Sequence, residues 1–224
     1  MAVPVALLPL AALLGLAIGS FLDVVVRQRS GRGSVPRYPL VEAVTGVTFV
    51  MVTALIGVSW ALPAVLYLAA VAVALALIDL AVHRLPDAIV LPSYPVVAAL
   101  LALASWNPGG GSDWGALLRA GIGGTGLLTF YLAAALIHPA GMGLGDVKLA
   151  GVLGMVLAWF GWGAFAVGAT AAFLLGALFS VGLLVTGRAG RTSGIPFGPW
   201  MLLGAFAGIT AGQPVAGWYL GLLG

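Results

Sequence analysis

Long apolar stretches with almost no charged residues most strongly limit what this chain can fold into. Of its 224 residues, 62% are hydrophobic and 7% are charged, which is more apolar surface than a soluble domain can cover. The stretches are continuous and do not alternate with a period of two, which favours helices over a transmembrane β-barrel. The sequence therefore predicts an all-α, polytopic membrane protein.

Eight stretches approach the length of about 20 apolar residues that a helix needs to cross a bilayer. The sixth is short and is separated from the seventh only by Phe160-Gly161-Trp162-Gly163, so a count of seven is the alternative. We predict eight spans in one integral-membrane domain, residues 1–224. The first stretch lacks the basic start of a secretory signal and is expected to be a retained helix. The spans cover approximately residues 5–26, 40–58, 61–80, 88–105, 117–137, 146–160, 163–187 and 198–221.

The basic residues predict the orientation in the membrane. With the N-terminus outside, Arg119 is the one exception among the nine Lys and Arg residues, and the others lie at cytoplasmic ends, as the positive-inside rule requires. The net charge of +3 is modest, so no nucleic-acid partner is expected. The eight cytoplasmic cations are Arg27, Arg29, Arg32, Arg37, Arg84, Lys148, Arg188 and Arg191.

Five of the six acidic residues fall at the predicted cytoplasmic ends of spans, and Asp113 lies outside. An ionisable group at the membrane boundary is costly unless it is paired or hydrated, so this cluster indicates a functional site. The alternative is a set of helix-end residues solvated by lipid headgroups. The chain has no cysteine, which excludes disulfides, thiolate metal sites and cysteine nucleophiles. The five residues are Asp23, Glu42, Asp79, Asp87 and Asp146.

Two segments place carboxylates where they could act together. Asp79 closes the third stretch, and Pro86 then forces a turn before the fourth. The glycine-rich residues 141–145 directly precede Asp146, which is predicted to begin the sixth stretch. Both carboxylates are predicted to reach the same membrane face from helices that run in opposite directions. Such a pair can activate water, with one carboxylate ionised as base and the other protonated as acid.

These segments resemble the two aspartate motifs of the prepilin peptidases, membrane aspartic peptidases of the G-x-G-D type. The first motif is Asp79 with Leu85-Pro86-Asp87, and the second is Gly143-Leu144-Gly145-Asp146-Val147-Lys148. Further similar blocks extend the likeness over nearly the whole chain: residues 19–25, 37–42 and 195–199.

The resemblance implies that Asp79 and Asp146 are a catalytic pair. Its substrates would be prepilins, pseudopilins or related precursors with an apolar N-terminal helix, as used in type IV pilus assembly and protein secretion. Cleavage of the leader would occur at the cytoplasmic face of the bacterial inner membrane, without a metal or another cofactor.

The sequence departs from this family's pattern in two places. Many members carry paired cysteines, which bind zinc, in a loop between the first two spans, and they methylate the new N-terminus. Here the connection from Gln28 to Tyr38 is short and has no cysteine, so zinc is not expected and the missing loop argues against methyltransferase activity. The family's usual Asn in the first block is Asp23 here. Its spacing from Arg27 suits an ion pair on a helix, and a role in the site is the alternative.

Other residues near the pair are candidates for supporting or substrate-binding roles. Gly143 and Gly145 would let a substrate backbone approach, and Lys148 would either bias the charge of Asp146 or set the topology. Glu42 would order the cytoplasmic entrance or bind substrate. Asp87, after Pro86, would cap the fourth helix or serve as a third carboxylate.

The two aspartates are expected to differ in charge state. Asp146 stands at a helix N-terminus near Lys148, which favours its ionised form, whereas Asp79 stands at a helix C-terminus. We therefore predict Asp146 as the base and Asp79 as the acid. His83 and His138, without a close third ligand, make a poor metal site.

Two other classes of function are compatible with the composition. A proton-coupled carrier would use acids in the middle of its spans, but these carboxylates lie at span ends. A non-catalytic scaffold of a secretion or pilus assembly would tolerate Asp→Asn changes. Association into an oligomer is left open.

Overall fold

The computed structural model describes residues 6–30, 39–138, 142–187 and 196–222, and within these ranges all regular structure is helical. This confirms the all-α prediction and the count of eight helices. The helices are α1 (Leu7–Ser30), α2 (Leu40–Ile56), α3 (Leu62–Val82), α4 (Asp87–Trp106), α5 (Trp114–Ile137), α6 (Leu144–Phe160), α7 (Trp162–Val185) and α8 (Gly198–Gly221).

Five of the described helices are long and apolar enough to cross a membrane: α1, α3, α4, α5 and α7. The chain is thus a polytopic membrane protein. Helix α2 is a shorter apolar helix of 17 residues, so the count of eight spans stays a prediction. The orientation also stays a prediction, and four of its cations, Arg32, Arg37, Arg188 and Arg191, lie outside the described residues.

The described helices fall into two compact units. The N-terminal unit contains α1 to α4, in which α1 packs against α2 and α3, and α3 packs against α2 and α4. A Cβ on Gly15 would lie 2.7 Å from the Gly46 Cα, and one on Gly19 would lie 2.6 Å from the Glu42 Cα. These glycines bring α1 and α2 nearly into backbone contact. The expectation of a single domain over residues 1–224 stays a prediction.

The C-terminal unit contains α5 to α8 together with His83–Leu85. Helix α8 packs closely on α7, because a Cβ on Gly204 would lie 2.6 Å from the Ala172 N and 2.7 Å from the Gly168 O. In α5, Gly124 contacts Met155 of α6, whereas the space around Gly121 is open.

Side chains from two neighbouring helices satisfy the last carbonyl groups of α6. Arg119 of α5 donates from Nε to the Ala158 O (2.7 Å) and from Nη2 to the Trp159 O (2.9 Å). Gln213 of α8 donates from Nε2 to the Phe160 O (2.9 Å). A cation at a helix C-terminus also interacts favourably with the helix dipole. Gly161 then has a φ of 132°, which is not helical and ends α6 before α7 begins. The two are therefore separate helices.

We expect Gly204→Ala to destabilise the protein and Gly217→Ala, on the same helix, to leave it unchanged or slightly more stable. Both changes gain up to about 1 kcal/mol of helix propensity. At Gly204 the added methyl group meets backbone atoms of α7, which cannot move aside, at an overpacking cost of about 1–3 kcal/mol. No atom lies within 4 Å of a Cβ on Gly217. Thermal unfolding in detergent measures the difference, and equal melting temperatures would contradict this packing.

Candidate active site

Asp79 lies in the last turn of α3, within the N-terminal unit, and only 4% of its surface is exposed. Leu75 and Ile78 beside it are buried as well. A carboxyl group in such apolar surroundings is costly unless it is paired or neutral. The charge state of Asp79 stays a prediction.

The chain stops being helical directly after α3. His83 has a φ of 52°, a left-handed conformation that a non-glycine residue adopts rarely. Helix α4 begins at Asp87, with Pro86 in an extended conformation at the cap position and no side-chain hydrogen bond to the cap. The prediction that Asp87 caps α4 is therefore wrong, because the helix already includes it. Asp87 is exposed in the first turn, where its charge complements the helix dipole.

Asp146 is the third residue of α6, and its carboxylate is turned back onto the start of the helix. The Gly143 N–H donates to the Asp146 Oδ2 at 3.3 Å, which is the carboxylate half of a capping box. Gly143 has no side chain to supply the other half. Asp146 is half-buried, and its position in the first turn stabilises a negative charge. Lys148 lies two residues after Asp146 in α6 and is also half-buried.

Gly145 is required for a close contact within the C-terminal unit. A Cβ at this position would lie 2.8 Å from the Leu85 Cβ and 3.4 Å from the Leu85 O. The segment that precedes Pro86 therefore rests against the first turn of α6. Gly145 accommodates the chain's own backbone here, while Gly143 is exposed and a role in substrate approach remains a prediction for it.

Sequence reasoning missed Tyr131, a buried residue of α5 that is 1% exposed. Its ring lies 5.3 Å from that of Phe173 and 6.3 Å from that of Phe197, measured between centroids. Tyr131 is also near enough to Asp146 for the two to interact electrostatically. The available signals were that Tyr131 is the one tyrosine of α5 and that Phe197 belongs to the block of residues 195–199. Ile195 of that block lies outside the described residues.

The remaining acidic candidates lie on α1 and α2. Arg27 Nε donates to the Asp23 Oδ2 at 2.7 Å, which confirms the predicted ion pair. The pair is not on an open surface, since 14% of the Asp23 side chain and 29% of the Arg27 side chain are exposed. Glu42 is 3% exposed, so the structure buries it. In the described part of the chain, no group of three potential ligands could hold a metal ion.

Comparison with known proteins places these segments within one family. Residues 66–185 match the model of the type IV leader peptidase family, and this range includes both aspartates. The chain is 33% identical over 214 residues to the prepilin leader peptidase/N-methyltransferase of Aeromonas salmonicida (strain A449), covering 95% of the chain and 71% of the relative. The protein of the same name from Aeromonas hydrophila is 33% identical over 216 residues, with the same coverage. No solved structure matches.

We expect Gly145→Ala to push the 83–85 segment away from α6. The chain has no cysteine, so Leu85→Cys provides a single reactive thiol and keeps the Cβ that contacts Gly145. Maleimide should label this thiol several-fold faster when Gly145→Ala is added. Gly121→Ala, where a Cβ meets nothing within 4 Å, is the matched control. Equal labelling rates in all three proteins would show that the contact does not hold the segment.

Proposed function

Because the chain belongs to the type IV leader peptidase family, we propose that it cleaves the N-terminal leader from prepilins, pseudopilins or related precursors. The family match and the 33% identity over 95% of the chain support this activity. The reaction would take place at the cytoplasmic face of the bacterial inner membrane. The five sequence blocks named above support the same conclusion, since they extend beyond the segment that matches the family model.

The proposed catalytic pair is Asp79 and Asp146. The contact of Leu85 with Gly145 carries this proposal. Leu85 follows Asp79 by six residues in the sequence, and Gly145 directly precedes Asp146. Since the chain's extended reach is limited to about 3.5 Å per residue, this contact ties the segment that follows Asp79 to the start of α6.

The two aspartates have different surroundings, which suit different roles. Asp146, in the first turn of α6 and bonded to the Gly143 N–H, is the ionised base that takes a proton from water. The hydroxide oxygen then bonds to the carbonyl carbon of the scissile peptide. Asp79, buried at the end of α3, holds the proton that stabilises the carbonyl oxygen. The peptide bond breaks when its nitrogen receives the proton that Asp146 took from water and Asp79 takes back the proton from the carbonyl oxygen, so the products leave as an acid and an amine.

The precursor's apolar N-terminal helix would lie in the bilayer next to the protein. The bond to be cut must leave its helical conformation, because a helical carbonyl is hydrogen-bonded and shielded from attack. The relatives' names include an N-methyltransferase activity. For this chain, which lacks the cysteine-containing loop, we propose leader cleavage without methyl transfer.

The two rival functions make different demands on the acidic residues. A proton-coupled carrier places its acids in the middle of spans, but Asp79 lies in the last turn of α3 and Asp146 in the first turn of α6. A scaffold would need neither carboxylate. Purified protein incubated with a prepilin in detergent separates these functions, since only a peptidase shortens the precursor.

We expect Asp79→Asn and Asp146→Asn each to lower the rate of prepilin cleavage by at least about 10²-fold, because general acid–base catalysis contributes about 10²–10⁴-fold. Asp113→Asn, at the exposed aspartate before α5, is the control and should keep full activity. The mass of the pilin product reports both cleavage and any added methyl group. Undiminished cleavage by both variants would refute the two-aspartate mechanism, provided that each inserts into the membrane like the native protein.

The rate of cleavage should depend on pH with a bell shape. At low pH the base is protonated and cannot take a proton from water, and at high pH the acid has lost the proton that it must supply. The two limbs belong to the coupled pair rather than to one residue. The measurement is kcat/KM for prepilin cleavage by the native protein and by Asp79→Asn, across the pH range in which both proteins stay folded. If Asp79→Asn kept substantial activity and both limbs, the assignment of Asp79 as the acid would be wrong.

A further inference from the structure

Tyr131 of α5 carries a buried phenol that takes no part in the reaction steps proposed above. The residue is 1% exposed, so bulk water does not solvate it. A buried phenol O–H requires a hydrogen-bond acceptor. Its oxygen stands at the far end of the ring, beyond the reach of the carbonyl groups of its own helix. The acceptor must therefore come from another part of the C-terminal unit.

The packing of α5 on α6 brings Tyr131 to the level of the first turn of α6. Arg119 bonds to the Ala158 O, and a Cβ on Gly124 would lie 3.1 Å from the Gly151 O. Residue numbers therefore rise along α5 as they fall along α6. Tyr131 is two turns beyond Gly124 and so lies on the same face of α5. Two turns before Gly151 is the first turn of α6, which Tyr131 faces.

That first turn contains the carboxylate of Asp146. Tyr131 and Asp146 belong to the same unit and interact electrostatically, in agreement with the packing of their helices. The Gly143 N–H donates to the Asp146 Oδ2 at 3.3 Å, which is long for a hydrogen bond to a carboxylate. An ionised carboxylate can accept about four hydrogen bonds. Asp146 can thus accept a bond from Tyr131 while it keeps the bond from Gly143.

Two aromatic rings from other parts of the unit hold the ring of Tyr131 in place. Phe173 of α7 lies 5.3 Å from it and Phe197, at the start of α8, lies 6.3 Å from it, and these two rings are 5.5 Å apart. A Cβ on Gly176 would lie 2.9 Å from the Phe197 Cε2, so α7 supports both rings. Phenylalanine offers no hydrogen-bond acceptor in its side chain. The cluster therefore fixes the ring without competing for its hydroxyl.

We infer that Tyr131 is a positioning residue of the proposed reaction, whose phenol O–H donates to the Asp146 carboxylate and holds it in the orientation from which it takes a proton from water. This inference rests on the proposed function, in which Asp146 is the base. An aspartate side chain rotates about two bonds, and the Gly143 N–H restrains one of its two oxygens. A donor on a packed aromatic ring restrains the carboxylate further. The base is then already in place when substrate and water arrive.

Tyr131→Phe removes the hydroxyl and keeps the ring. It should lower kcat for prepilin cleavage about tenfold or more, because the lost hydrogen bond is to a charged group. The KM should change little, since the bond acts on the base rather than on the substrate. Tyr67→Phe is the matched control, because it removes a part-buried hydroxyl that is bonded to Ser93 in the N-terminal unit. It should keep the native kcat, and both variants should melt at similar temperatures in detergent.

A double-mutant cycle tests whether Tyr131 acts through Asp146. In Asp146→Asn the base is already lost, so adding Tyr131→Phe should not change the residual rate of cleavage. Single-turnover experiments with excess enzyme measure that rate. If Tyr131→Phe lowered the residual rate by the same factor as in the native protein, the inference would be overturned. Tyr131 would then serve the substrate or the packing directly.

Infrared spectroscopy tests the hydrogen bond without any substrate. The difference between the spectra of the native protein and Asp146→Asn isolates the carboxyl band of Asp146. Tyr131→Phe should shift this band, and Tyr67→Phe should leave it in place. A band that Tyr131→Phe does not shift would overturn the inference even if the protein cleaves prepilin. A shifted band in a protein that cleaves no prepilin would refute the proposed function and the positioning role with it, while the hydrogen bond itself would stand.

Discussion

The need to satisfy backbone hydrogen bonds without water governs the structure of this protein. In the hydrocarbon region of a bilayer an unpaired N–H or C=O group is costly, so the chain forms helices and confines irregular backbone to their ends. The residues of the proposed catalytic pair lie at such ends. Asp79 lies in a last turn, Asp146 accepts a hydrogen bond from the Gly143 N–H in a first turn, and Arg119 with Gln213 satisfies the last carbonyls of α6. Helix ends thus carry the ionisable groups and the caps.

The helices must also pack closely, because in lipid they gain little from burying apolar surface. Glycine makes this close packing possible. At Gly15 and Gly19 in α1, and at Gly204 in α8, a single methyl group would overlap the backbone of the adjacent helix. The same close approach buries Glu42, since its Cα is the atom that faces Gly19. Tight packing between α1 and α2 therefore creates the buried polar position that the acidic residue occupies.

The fold was largely predictable from the sequence because long apolar stretches leave few alternatives. The sequence left open whether residues 160–163 separate two helices. In the structure α6 ends at Phe160, because Gly161 interrupts the helix and side chains from α5 and α8 bond to the last carbonyl groups of α6. Those partners lie 39 to 53 residues away in the sequence, so no local pattern could reveal them. Arg119 was interpreted only as the one exception to the positive-inside rule, whereas its guanidinium caps a helix.

The candidate site was predictable to a smaller extent. The motifs located Asp79 and Asp146 at the ends of their helices, and the spacing of Asp23 and Arg27 indicated their ion pair. Three features depend on tertiary contacts and could not be predicted: the burial of Glu42, the approach of Leu85 to Gly145, and the position of Tyr131 near Asp146. Asp87 shows the limit of local rules, because a residue after proline can either cap a helix or begin it.

The length of α6 has a consequence for the lipid around it. Its 17 residues measure about 25 Å at 1.5 Å per residue, which is about 5 Å less than the hydrocarbon thickness of a typical bilayer. If α6 crosses the bilayer, as the eight-span prediction has it, a helix this short produces hydrophobic mismatch, and the membrane responds by thinning locally or by admitting headgroups and water around the shortened end. The first turn of α6, with Asp146, would then sit in a hydrated depression of the membrane surface. The proposed cleavage beside an apolar substrate segment would use such a depression, because water must reach a bond that lipid would otherwise surround.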